Sequence, residues 1–172
     1  MDAIALLKRD HTEVKELFSQ AEELSERATA TRGKLCEKIV RALELHTKIE
    51  ESIFYPAFRQ RAEDAEEREK ILEAFEEHNV AKTLIGELQK LEPSDETFQP
   101  KLTVLIESVR HHIKEEEGQI FKMARDLFDK DELNELGAEL ETAKSEGGET
   151  PARSRALTGE VETEGTRRPA AR

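Results

Sequence analysis

The 172-residue sequence predicts an all-α protein: an antiparallel up-down-up-down four-helix bundle with a short C-terminal fifth helix and a disordered tail. Three observations carry that expectation. Glu, Lys, Arg, Leu and Ala dominate the composition and tryptophan is absent, which favours helix over sheet. Four long segments repeat apolar residues at helical spacing. The breaks between them are short, and short connections make consecutive helices antiparallel neighbours.

The first segment, from about Asp2 to Ala28, aligns Ala3, Ile4, Leu7, Val14, Leu17, Phe18, Ala21 and Leu24 on one side. "TATRG" then breaks the pattern. The second, from about Lys34 to Ala62, turns Leu35, Ile39, Ala42, Leu43, Ile49, Ile53 and Ala57 inward, with a kink expected at Pro56. The third, from about Glu66 to Leu91, does the same with Ile71, Phe75, Ala81, Ile85 and Leu88, and "EPSDETFQP" punctuates its end. The fourth covers about Phe98 to Phe128, and the fifth, from Lys130 to about Thr142, caps the bundle. Beyond it Gly, Pro, Thr and Arg accumulate without an apolar face, so the expected domain is residues 1–142 and the expected disordered tail 143–172.

A net charge of −12 with no basic stripe argues against binding nucleic acid. The N-terminus lacks a charged segment followed by an apolar run, and no stretch approaches the length that crosses a bilayer. No membrane association and a cytoplasmic location are the expectations. The single cysteine, Cys36, excludes an intrachain disulfide framework and multi-cysteine zinc patterns; it reads as a small, half-buried helical residue.

Ionisable residues sit where the core should be. In "LELHTKIEESIFYPAF", residues 43–58, Glu50 lies about 40° from His46 at about 100° per residue, with Leu43, Ile39 and Ile53 around them. His78 falls within about 20° of Ile71 and Ile85, and His11 within about 20° of Ile4 and Phe18. In "VRHHIKEEEGQIF", residues 109–121, His112 and Glu116 share the stripe of Leu105, Val109, Ile120, Met123 and Leu127, while His111, Glu115 and Glu117 fall toward the edge or outside. The charge runs, including "RAEDAEEREK" and the acids flanking Glu116, read as solvated faces.

One core histidine is ordinarily a neutral imidazole bonded to a backbone carbonyl. Four, on four stripes, two of them followed by glutamate one turn later, need a common cause. Two buried carboxylates facing each other repel unless a proton or a cation lies between them. A histidine and a carboxylate one turn apart can hold one ion from a rigid helix, and two such helices face to face make a carboxylate-bridged two-metal site. Imidazole and carboxylate without thiolate suit iron or manganese better than a structural zinc. Six protein ligands around two octahedral ions leave positions for a bridging oxygen and an exogenous small molecule.

The chain resembles the hemerythrin-like, HHE cation-binding family of bacterial type. "RDHTEVKELF" around His11, "LHTKIEESIFYPAF" around His46 and Glu50, "EEHNVAKTLIGEL" around His78 and "RHHIKEEEGQIFKMA" around His112 and Glu116 match in order and spacing over about residues 1–140. The resemblance implies two non-haem iron ions, with manganese as the alternative, and a bridging oxo or hydroxo group. His11, His46, Glu50, His78, His112 and Glu116 are the implied ligands, the two glutamates bridging. Oxygen carriers of the family use five histidines; one turn on either side of His78 this chain has Ala74 and Lys82.

Water, Glu51 or Tyr55 could complete the coordination. Ideal geometry places Tyr55 opposite His46 as a packing or rim residue, unless a kink at Pro56 brings it inward. The expected function is binding or sensing of O2, peroxide, nitric oxide or iron. Alternatives are a catalase- or peroxidase-like enzyme turning over peroxide or nitric oxide, and an interaction module with a structural metal. No catalytic residue is expected outside the cluster, the partner is a small diatomic or peroxide ligand, and the chain is a monomer or homodimer.

Overall fold

The computed structural model describes residues 1–147. Its helices are α1 (Ala3–Glu22), α2 (Thr29–Ile49), α3 (Tyr55–Arg61), α4 (Ala65–Leu88), α5 (Phe98–Glu115), α6 (Phe121–Leu127) and α7 (Lys130–Ser145). A π turn, Glu50–Phe54, fuses α2 to α3, and a second, Glu116–Ile120, fuses α5 to α6. Four rods therefore form the bundle: α1, α2–α3, α4 and α5–α6. The fifth helix, α7, lies against α1.

Acidic caps start three of these helices. Asp2 accepts the Ala5 N–H at 2.7 Å, while Asp64 with Glu67 and Asp129 with Glu132 form reciprocal capping boxes. Each satisfies amide groups that the first helical turn leaves unpaired and places negative charge at the positive end of the helix dipole.

Several boundaries differ from the sequence expectation. The first helix stops at Glu22 rather than Ala28, and "TATRG" opens α2 instead of interrupting the chain. Gly33 sits inside that helix because Pro93 leans over it; a Cβ there would come within 2.7 Å of the proline ring. Cys36 is buried rather than half-buried, and burial together with Glu37 raises its thiol pKa to about 11. Pro56 lies in the first turn of α3, where its missing N–H costs least. The irregularity in that rod is the π turn before it. α7 runs three residues past Thr142, and the remainder of the expected tail, from residue 148, lies outside the described residues.

The core is in two parts. One gathers Ile4, Leu7, Phe54, Phe58, Ile71 and Phe121 with Leu133 and Leu140 of α7. Its companion gathers Phe18, Ile39, Leu43, Ile85, Leu105 and Val109. Along α1 the chain passes from the first to the second between Leu7 and Val14, crossing Asp10 and His11; α2 makes the return passage around His46 and Glu50. α4 and α5 repeat this at His78 and at His112 and Glu116. A layer of buried ionisable groups thus separates two apolar halves.

Candidate metal centre

Both glutamates open a π turn. The Tyr55 N–H bonds to the Glu50 carbonyl, five residues back, and the Phe121 N–H bonds likewise to Glu116. Such a turn holds one residue more than an α turn, so the stripe after it moves on by one position. Tyr55 is buried beside Phe54, and Phe121, Ala124 and Phe128 are buried where Met123 and Leu127, expected inward, are only partly so. Ala57 gives way to Phe58 in the same manner.

The six expected residues converge. His11 and His46 bring their Nε2 atoms to 3.1 Å, and His78 and His112 do the same at 3.1 Å. Glu50 spans the two pairs, with Oε1 at 3.0 Å from His46 Nε2 and Oε2 at 3.2 Å from His78 Nε2. Glu116 Oε2 lies 3.2 Å from His11 Nε2 and 3.7 Å from His112 Nε2. Two groups of donor atoms result: His11, His46, Glu50 and Glu116 around one point, Glu50, His78 and His112 around the other. Both glutamates are fully buried.

Three further carboxylates orient the rings by hydrogen bonds, and a fourth faces His46. His11 Nδ1 donates to Glu117 at 2.8 Å, His78 Nδ1 to Glu51 at 2.9 Å and His112 Nδ1 to Glu77 at 2.6 Å. Asp10 Oδ2 faces His46 Nδ1 at 3.6 Å, beyond hydrogen-bonding distance, while Lys144 of α7 holds the other Asp10 oxygen at 2.5 Å. A carboxylate can only accept, so in His11, His78 and His112 the proton sits on Nδ1 and the Nε2 lone pair faces inward; His46 Nδ1 has no hydrogen-bond partner among the described residues. Each acid is the chain neighbour of an inner residue but serves the histidine of the next rod. Asp10 serves His46, Glu51 serves His78, Glu77 serves His112 and Glu117 serves His11, closing a ring around the bundle.

The donor set suits a pair of cations. Both Glu50 oxygens and Glu116 Oε2 are buried without a hydrogen-bond donor: the ring nitrogens approach them closely, but not in line as N–H donors. Unpartnered buried carboxylate oxygens are costly unless a cation meets them. When protons are the only cations present, they collect here. Burial opposes the charging of His46, yet Glu50, Asp10 and Glu116 raise its pKa to about 10. His78 is likewise opposed by burial and raised by Glu50 and Glu51 to about 9. Burial works against the Glu50 charge as well, but His46 and His78 hold its pKa well below the usual carboxylate range.

Tyr55 corrects the expectation of a packing or rim position. It is fully buried, and its hydroxyl donates to Glu116 Oε1 at 2.9 Å and lies 3.4 Å from His78 Nε2. Burial, Glu116 and Glu50 push its pKa well up. Glu51 belongs to the outer ring. Glu117, read as edge or solvated, is half-buried on His11, whereas His111 is exposed as expected. Asp10 and Glu77 escaped the sequence reading.

The family model of the hemerythrin HHE cation-binding domain matches residues 2–124. A DNA nickase of Nostoc sp. is 22% identical over 140 residues, which are 81% of this chain and 38% of that protein. A hemerythrin-like protein of Schizosaccharomyces pombe is 25% identical over 136 residues, 79% of this chain and 66% of that one. The chain therefore spans less than two thirds of the length of either relative. The crystal structure of a hemerythrin HHE cation-binding domain-containing protein from Mycobacterium kansasii matches with a TM-score of 0.73 at 22% identity, covering 91% of this chain and 90% of that one. That likeness shows the fold.

Proposed function

Because the chain belongs to the hemerythrin HHE cation-binding domain family, we propose that His11, His46, Glu50, His78, His112 and Glu116 hold two iron ions, with which the protein binds or senses a small oxidant such as O2 or peroxide. The observation that carries this reading is Glu50, whose two oxygens reach one histidine pair each and have no other partner. Such an iron pair supplies reversible redox chemistry and open positions for an exogenous ligand. The protein's own contribution is to hold the Nε2 lone pairs of His11, His78 and His112 inward through Glu117, Glu51 and Glu77. It also flanks the site with two apolar halves and keeps the Tyr55 hydroxyl donating to Glu116.

We take the location as cytoplasmic; among the described residues no helix is long and apolar enough to cross a membrane. The activity named for the Nostoc relative is not carried over: the chain spans 38% of that protein and, at a net charge of −12, offers no basic stripe for phosphates. Metal analysis of protein from unsupplemented cells, with spectra after anaerobic reduction and re-aeration, tests the proposal. Two irons per chain and an oxidant-dependent spectral change are expected, both lost in a His46→Ala, Glu50→Ala double variant. Unchanged metal content in that variant would contradict the assignment.

A further inference from the structure

We propose that the cavity beside the histidine layer is a binding pocket for a neutral, ring-sized apolar molecule. The cavity holds about 370 Å³ and is bordered on one side by His11, His46, His78 and His112. Val14, Leu43, Ala81, Ile85 and Val109 form its apolar wall. A diatomic needs little of this space: a water occupies ~30 Å³ in the liquid, and an apolar cavity of ~150 Å³ already takes one benzene. Volume and lining both fall in the range of small-molecule sites.

Gly86 borders the same cavity, in the interior of α4, where glycine is less favourable than any residue but proline. A Cβ at this position would meet nothing within 4 Å among the described residues, so no contact there calls for glycine. What its missing side chain does is widen the cavity. The border charges have neighbours of their own: Lys82 is bound to Glu51 at 2.6 Å, and Glu44 and Lys48 stand one turn apart on α2. Asp10 and Glu77, which also border it, are turned to histidine Nδ1 atoms. Neither an anion nor a cation is favoured, so the ligand is uncharged.

The metal reading supplies only the floor of this pocket, and the binding test does not depend on it. Toluene is titrated calorimetrically into the full chain, metal-loaded and metal-stripped, with glycerol as a polar control. Saturable one-to-one binding of toluene and none of glycerol is expected, weakened at least tenfold in Gly86→Leu or, should that variant fail to fold, in Ala81→Phe. Methyl resonances of Val14, Leu43, Ile85 and Val109 should be those that shift. Absence of toluene binding, or shifts confined to other residues, would overturn the pocket. Binding to the stripped protein upholds it even where the iron assignment fails.

Discussion

At the scale of the residue, the convergence of His11, His46, Glu50, His78, His112 and Glu116 was legible because a polar side chain on an apolar stripe stands out on a helical wheel. The outer acids were not. Asp10, Glu51, Glu77 and Glu117 sit in or beside charge runs, and nothing in composition separates a carboxylate that steadies an imidazole from one that faces water. Their adjacency to His11, Glu50, His78 and Glu116 was a usable signal, since a residue next to an inward one points along the seam toward the neighbouring rod. Tyr55 gives a direct test. Tyr55→Phe removes one hydrogen bond to Glu116 without removing a ring, so thermal or denaturant unfolding should show a loss of about 0.5–1.5 kcal/mol. Metal content should be unchanged; loss of an ion from this variant would mean that the phenol oxygen is itself a ligand.

At the scale of the element, wheel arithmetic worked wherever the helix was regular. It failed beyond each π turn, where Phe58 replaces Ala57 and Phe121, Ala124 and Phe128 replace Met123 and Leu127, because a π turn advances the buried stripe by a position that uniform rotation cannot supply. The capping boxes of α4 and α7 are formed by acids close together in sequence, whereas "TATRG" looked like a break because glycine inside a helix carries no mark of the Pro93 contact that explains it. The π turn makes a prediction of opposite signs. Deleting Ser52 turns Glu50–Phe54 into an ordinary α turn and keeps Tyr55 and Phe58 inward, so the variant should fold, with circular dichroism and melting close to the parent. Inserting an alanine after Ser52 rotates the whole of α3 by about 100° and should abolish cooperative melting. Equal tolerance of both changes would show that the π turn does not set the register.

At the scale of the whole molecule, the fold places one polar layer between two apolar halves, and its stability is tied to what neutralises that layer. His46 and His78, with pKa values raised to about 10 and about 9 when protons are the only cations, contribute stability that is complete below their unfolded pKa near 6.5 and lost as pH rises through the folded values. Metal-stripped protein should therefore melt at lower temperature as pH climbs from about 6.5 to 10. Metal-loaded protein should behave in the opposite sense on the acid side, because ligand imidazoles must shed their protons and acid releases the ions. Parallel melting curves from acid pH up to about 10 check both slopes, and identical pH profiles for the two forms would contradict the linkage.

The fold class was readable because local spacing, loop length and composition all agreed. The tie from α7 to the site through Lys144 and Asp10 was not, since the two residues lie far apart in the chain and nothing local to either marks the other. The most direct test of the central claim is a crystal structure with anomalous scattering collected at the iron edge. The account predicts two iron peaks about 3.5–4 Å apart, one between His11 and His46, the other between His78 and His112, with Glu50 and Glu116 spanning them. A single peak outside this layer, or a layer with no peak in iron-loaded crystals, would contradict it.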